Sequence, residues 1–175
     1  MSKPVELWNQ AADAFDARFK AIDKAQWSGS TPCAEWSVHE LVTHATGVQI
    51  SMGGALGANV AEGADWKTAR AAMAEALTAP GITEGTATHP AFGEVPKAML
   101  IGIATTDLLI HAWDLARAIG ADETLPPEAV AAAYAGLQQL PAEVIRVPGR
   151  FDAAVTVPEG AGPQATMLAF AGRKV

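Results

Sequence analysis

The fold is decided by one apolar stretch of the chain, LIGIATTDLLIHAWDLARAIG, which runs from residue 100 to residue 120. Its Leu, Ile and Trp side chains surround a helical wheel almost completely, and a helix that is hydrophobic on every side is a buried one. Pro96 suits the first turn of such a helix, and Gly120 suits its C-terminal cap. We therefore predict a buried helix from about residue 95 to residue 120.

Three polar residues interrupt this apolar surface on a single face. Asp107, His111 and Asp114 stand at i, i+4 and i+7, so they lie one above another along the helix. A buried carboxylate is costly unless it is paired, hydrogen-bonded or bound to metal. An Asp and a His one turn apart can bind a divalent metal together. The alternative is an Asp107–His111 ion pair, which is worth only about 0.5 kcal/mol on an exposed helix face.

A third ligand is predicted from an earlier helix that begins at Ser37. Ser37 and Glu40 have the spacing of a capping box, in which each side chain accepts a backbone N–H of the other residue. His44 falls at the edge of the apolar stripe that follows, so its ring should point into the core. Glu40 is an alternative ligand, although the cap already occupies its carboxylate, and a hydrogen-bonded core histidine is the alternative reading of His44. The stripe consists of Leu41, Ala45, Val48 and Met52.

Asp114 is predicted to support the site rather than to bind the metal. It either pairs with Arg117, one turn further along the helix, or orients a ligand by hydrogen bonding. The weaker candidates are a loop cysteine, two further histidines and two tryptophans. For these we predict a small buried residue at Cys33, a surface residue at His39, a solvated loop residue at His89, and core residues at Trp36 and Trp66.

The remaining segments predict further helices and no parallel sheet. Helical periodicity, together with the positions of proline and glycine, predicts helices over about residues 5–26, 65–78 and 126–140. Residues 82–96 are predicted to form a long loop, with a short hairpin as an alternative. The chain is predicted to end in an extended tail and a short helical turn over 165–171. Alternating βα patterning is absent. We therefore expect a single all-α domain that spans residues 1–175.

Composition narrows the function classes. The chain has 19 acidic against 12 basic residues, a net charge of −7, and no Lys/Arg cluster, which argues against a nucleic-acid partner. Its single cysteine, Cys33, excludes a disulfide within the chain. The apolar stretch carries Asp and His, and the N-terminus lacks a signal-like run, so we expect a cytoplasmic protein without a membrane span. Monomer and homodimer both remain open.

Two runs of sequence together resemble a known family. They are TPCAEWSVHELVTHATG at residues 31–47 and TTDLLIHAWDLARAIG at residues 105–120. They are similar to the DinB-like metal-binding bundles, and more narrowly to the actinobacterial branch related to the mycothiol-dependent maleylpyruvate isomerase N-terminal domain. The closing segments GRFDAAVTVPEGAG and MLAFAGR look like the ends of stand-alone members of that branch, so the resemblance covers nearly the whole chain.

The resemblance implies an all-α, DinB-like four-helix bundle with an extra short C-terminal extended and helical segment. It also implies one divalent metal, commonly zinc and sometimes nickel, with His44, Asp107 and His111 at the ligand positions. The isomerase carries a glutamate where this chain has Asp107, and it has a further C-terminal domain for which this chain is too short.

Two classes of function follow from these expectations. The first is a metal-dependent thiol transferase or isomerase, in which the metal activates a thiol of the mycothiol type for reaction with an electrophilic small molecule. The same site could activate water, which would make the protein a hydrolase. The alternative is a non-catalytic, metal-stabilised binding or stress-response module. An open coordination position favours the enzyme, and a fourth protein ligand favours the structural role.

Overall fold

The computed structural model describes residues 2–34, 36–140, 153–157 and 159–175. Within these ranges the protein is mostly helical, with one small antiparallel hairpin. The helices are α1 (Lys3–Lys20), α2 (Val38–Ala55), α3 (Trp66–Ala76), α4 (Lys97–Ile119), α5 (Pro127–Gln138) and α6 (Pro163–Phe170), with a short 3₁₀ turn at Lys24–Gln26. The hairpin pairs β1 (Thr86–His89) with β2 (Gly93–Pro96).

Helix α4 forms the centre of the core. It contacts α1, α2 and α5, and the side chains of the successive residues Leu108, Leu109 and Ile110, which point about 100° apart around the helix, are all buried. The prediction that α4 is a buried helix next to α2 is therefore confirmed. Its length and composition would also suit a membrane span, but 67% of its most apolar window is buried inside the protein. This burial identifies α4 as a core helix.

A buried amide joins helices α1, α2 and α4. Gln49 of α2 accepts a hydrogen bond from the indole N–H of Trp8 in α1 at 2.9 Å. Its own amide donates to the carbonyl of Ala104 in α4 at 3.2 Å. Because Gln49 is fully buried, these bonds satisfy polar groups that water cannot reach. They fix the position of α2 against α4 close to the turn that carries His44.

The start of α2 agrees with the sequence, whereas the end of α1 does not. The backbone N–H of Ser37 donates to Glu40 Oε2 at 2.7 Å, and Glu40 N–H donates to Ser37 Oγ at 3.3 Å, which confirms the capping box. Helix α1 ends at Lys20 rather than near Gln26. A separate turn follows, in which Gln26 Oε1 accepts the backbone N–H of Asp23 at 2.9 Å.

The hairpin adds strands to a fold that we expected to be purely helical. It lies within the long loop, where a short hairpin was the alternative. The prediction that His89 is a solvated loop residue is wrong, since it is only 4% exposed. Its Nδ1 accepts the N–H of Ala91 at 3.1 Å, so the proton lies on Nε2, which donates to Ser51 Oγ at 2.9 Å. This hydrogen bond connects β1 of the hairpin to α2.

The C-terminal segment returns to the helical core. The N–H of Val155 donates to the carbonyl of Ala169 in α6 at 2.9 Å. Helix α6 packs on α5, where the rings of Tyr134 and Phe170 meet edge to face at 5.7 Å. Part of the predicted extended tail, residues 150–152 and 158, lies outside the described residues.

Candidate metal centre

Helices α2 and α4 bring the three predicted ligands together. His44 Nε2 lies 3.3 Å from Asp107 Oδ1, and His111 Nε2 lies 3.6 Å from the same oxygen. One donor atom from each of the three residues falls within 4.8 Å of the other two. The helical stripe of α4 provides Asp107 and His111 one turn apart, and the inward edge of α2 provides His44.

Two of the three separations between these donors fit a tetrahedral metal site. Bonds of about 2.0–2.2 Å to zinc place neighbouring ligand atoms about 3.3–3.6 Å apart in tetrahedral geometry. The separations of Asp107 Oδ1 from the two imidazole nitrogens, 3.3 and 3.6 Å, span that interval. Two imidazoles and one carboxylate are also a donor set that zinc accepts. The residues present therefore fit a divalent metal.

The second oxygen of Asp107 points to the same conclusion. Among the described residues it is a buried atom with no hydrogen-bond partner, although the side chain as a whole is 16% exposed. Both histidines meet the other oxygen instead. A buried carboxylate oxygen without a partner is costly in a protein, and a metal ion bound by this carboxylate would offset that cost.

Asp114 orients the ring of His111. Its Oδ2 lies 3.0 Å from His111 Nδ1, and since Asp114 is an ionised acceptor, Nδ1 must be the donor. The Nε2 of the same ring is then directed at Asp107 and His44. A carboxylate that binds the far nitrogen of a metal-binding histidine fixes the ring orientation and increases its basicity. Of the two roles predicted for Asp114, the structure therefore places it in hydrogen-bonding contact with His111.

The other role predicted for Asp114, pairing with Arg117, is wrong. Arg117 pairs with Glu123 at 2.8 Å and lies over the ring of Trp113. The cation beside Asp114 is Arg173, whose Nε donates to Oδ1 at 3.0 Å and whose Nη2 donates to Oδ2 at 2.8 Å. Sequence reasoning missed Arg173, although it lies in the closing segment MLAFAGR that carried part of the family resemblance.

The loop before α2 adds two side chains that we did not expect near the site. Cys33 donates its thiol hydrogen to Asp114 Oδ2 at 3.2 Å and accepts from Arg173 Nη2 at 3.3 Å. Trp36 lies with its ring 4.6 Å from that of His44 and 5.9 Å from that of His111. Thr31 holds this loop by donating from Oγ1 to the Trp36 carbonyl at 2.9 Å and by accepting the N–H of Cys33. In the sequence, the one indication that Cys33 and Trp36 lie near the site is that they stand just before the helix that carries His44.

The remaining candidates lie outside the donor group. Glu40 is an exposed residue whose carboxylate is taken by the cap, so it does not join the three donors. His39 is an exposed residue, as predicted, with its ring 6.2 Å from that of Trp27. Trp66 is buried as predicted, and its indole N–H donates to Asp16 at 3.0 Å.

The charges around the site determine the protonation states of His111 and Asp114. Burial opposes a charged imidazole, but the charge of Asp107 and the hydrogen bonds with Asp114 and Cys33 raise the pKa of His111 to about 10. Burial likewise opposes a charged Asp114, but the hydrogen bonds and charges of His111 and Arg173 lower its pKa to about 2. A proton therefore occupies a histidine nitrogen that a metal would otherwise take.

The fold and the site together define a mostly helical protein with a cluster of donors that could hold a metal ion. The chain belongs to the family of the mycothiol maleylpyruvate isomerase N-terminal domain, whose family model matches residues 8–65. It is 33% identical to two proteins of Mycobacterium tuberculosis, Uncharacterized protein MT0763 of strain CDC 1551 / Oshkosh and Uncharacterized protein Rv0738 of strain ATCC 25618 / H37Rv. Each match covers 98% of this chain and 98% of the relative. No solved structure matches at a significant level.

Proposed function

We propose that the protein is a metal-dependent thiol transferase or isomerase that holds one divalent ion, zinc in the first instance, through His44, Asp107 and His111. The shared carboxylate oxygen, 3.3 and 3.6 Å from the two imidazole nitrogens, is the observation that carries this proposal. Membership in the mycothiol maleylpyruvate isomerase N-terminal domain family supports a thiol of the mycothiol type as the cosubstrate. A DinB-like four-helix-bundle arrangement of the main helices is part of the same proposal.

Access to the donors favours catalysis over a purely structural role. His44 leaves 34% of its side chain exposed, so the donor group reaches the protein surface. Across the part of the chain that the structure describes, no fourth His, Cys, Asp or Glu joins this group. Three protein ligands leave a coordination position open for a small molecule, as catalytic sites do.

The chemistry divides between the ion and the side chains. A divalent ion here would lower the pKa of a thiol or water that binds it. His44, Asp107 and His111 hold the ion, and the Asp114 carboxylate keeps the ring of His111 aligned. In thiol transfer the S–H proton leaves to solvent, sulfur bonds to the electrophilic carbon, and the leaving group departs with its bonding electrons. The ring of Trp36 lies beside both histidines and would form one wall for the organic part of a substrate.

The test begins with protein purified without a metal-affinity tag. Elemental analysis should find about one zinc or nickel per chain. Chelated and reloaded protein is then assayed with mycothiol and an aryl halide, and separately with mycothiol and maleylpyruvate. Thiol- and metal-dependent turnover supports the proposal. Hydrolysis of ester or amide substrates without thiol would identify a hydrolase, and loss of metal that lowers only the melting temperature would identify a structural site.

A further inference from the structure

The end of α6 turns the chain so that its last residues approach α4. Gly172 adopts a φ of 85°, a left-handed conformation that glycine reaches without strain. The N–H of the next residue, Arg173, bonds back to the carbonyl of Leu168 at 2.9 Å, which closes the helix in the manner of a Schellman motif. This turn directs the side chain of Arg173 inward, and the side chain is only 9% exposed.

Arg173 forms a fork with a fully buried carboxylate. Its Nε and Nη2 donate to the two oxygens of Asp114 at 3.0 and 2.8 Å. Two parallel charge-assisted bonds restrict the carboxylate plane, which a single point charge cannot do. The remaining nitrogen of the guanidinium, Nη1, donates to the carbonyl of Ala171 at 3.1 Å, so the guanidinium itself is held in place.

The orientation of Asp114 matters because the same oxygen, Oδ2, meets His111. The contact of 3.0 Å to Nδ1 determines which nitrogen of His111 carries a proton and where Nε2 points. Asp114 belongs to α4, as His111 does, but Arg173 lies 59 residues further along the chain. The bonds therefore connect the C-terminal turn to the donor group through one carboxylate.

We propose that Arg173 is a positioning residue for the metal centre: it fixes the Asp114 carboxylate, which in turn keeps the proton of His111 on Nδ1 and leaves Nε2 to bind the ion. The inference rests on the proposed metal site. Cys33 completes the surroundings of Asp114 by donating to Oδ2 at 3.2 Å. Loss of Arg173 would leave Asp114 a buried anion held through Oδ2 alone, by His111 and Cys33. The plane of the carboxylate, and with it the tautomer of His111, would then be less firmly fixed.

The test compares zinc affinity, measured by chelator competition, in four variants and one control variant. Arg173→Gln removes the charge and the fork and should weaken zinc binding about 10–100-fold. Arg173→Lys restores the charge without the fork and should recover only part of the affinity. Asp114→Asn and the double variant Asp114→Asn/Arg173→Gln should bind zinc equally well, because Arg173 acts only through Asp114. Arg70→Gln is the matched control, since Arg70 makes similar carboxylate pairs with Asp13 and Asp16 of α1.

A spectroscopic readout separates positioning from a general loss of stability. In zinc-loaded protein with ¹⁵N-labelled histidine, the His111 Nδ1–H should be visible and protected from exchange, and Arg173→Gln should abolish that protection. Unchanged zinc affinity and an unchanged Nδ1–H signal in Arg173→Gln would overturn the inference while leaving the metal site intact. If Arg173→Gln does not fold, Arg173→Lys with wild-type affinity and signal overturns it. Failure of the wild-type protein to bind either zinc or nickel would overturn both proposals.

Discussion

His44 and Asp107 meet across two helices, with Nε2 of the histidine 3.3 Å from Oδ1 of the aspartate. The residues are 63 positions apart in the chain, and they lie on different helices, α2 and α4. This contact joins the donor on α2 to the pair on α4. The buried amide of Gln49 fixes the same two helices.

Replacing either histidine should remove the metal. His44→Ala and His111→Ala each delete one of three ligands and should weaken zinc binding by more than ~100-fold, because changes to groups that only support a ligand already cost 10–100-fold. Thiol-transfer activity should disappear in parallel. The control is His39→Ala, because His39 is an exposed histidine of α2, the helix that carries His44. Either variant binding zinc as tightly as the wild type would exclude that residue as a ligand.

Asp107 should tolerate a longer carboxylate better than a neutral side chain. Asp107→Glu restores the residue that the isomerase resemblance implies and keeps the charge, so zinc affinity should fall no more than about tenfold. Asp107→Ala removes the carboxylate and should abolish stoichiometric binding. Both are measured by chelator competition. Equal loss in the two variants would mean that arm length, rather than charge, controls the site.

Metal binding should release a proton. Burial disfavours a charged His111, but the charge of Asp107 and the hydrogen bonds with Asp114 and Cys33 raise its pKa to about 10, so the metal-free ring is protonated at pH 7. Zinc requires a free Nε2, so affinity should rise about tenfold per pH unit while the pH stays below this pKa. Calorimetry in buffers of different ionisation enthalpy should count about one proton released at pH 7. Binding that is independent of pH between 6.5 and 8 would contradict this assignment.

Cys33→Ser should leave metal binding and thiol transfer nearly unchanged. The serine hydroxyl can donate to Asp114 as the thiol does at 3.2 Å, so zinc affinity should stay within about threefold. The attacking sulfur belongs to the cosubstrate, so turnover should also persist. Activity that survives complete metal removal but is lost in Cys33→Ser would instead identify a cysteine nucleophile.

Gln49→Ala should destabilise the fold that holds the site. The variant leaves the Trp8 indole N–H buried without its acceptor, which should lower the free energy of unfolding by about 1–3 kcal/mol. Denaturant unfolding of the metal-free protein measures this change. Gln138→Ala, at an exposed position of α5, is the control and should have little effect. Equal stability of the two variants would mean that the Gln49 bonds contribute nothing net.

The spacing of residues along the sequence was enough to predict the central helix and the start of α2. The apolar residues around α4 require burial, and the stripe of Asp107, His111 and Asp114 follows from the helical repeat alone. The start of α2 at Ser37 also follows from side chains three residues apart. These features depend on neighbours within one or two turns, so they could be predicted before any packing was known.

Tertiary structure decided which distant groups surround that stripe. His89 is buried because the hairpin docks on α2, a contact that its polar, proline-flanked sequence does not indicate. Arg117 is one turn from Asp114, yet the helix directs it to Glu123 and Trp113, and Arg173 reaches the carboxylate from 59 residues away. Helical periodicity specifies which residues share a face, but only the path of the folded chain determines which partner arrives there.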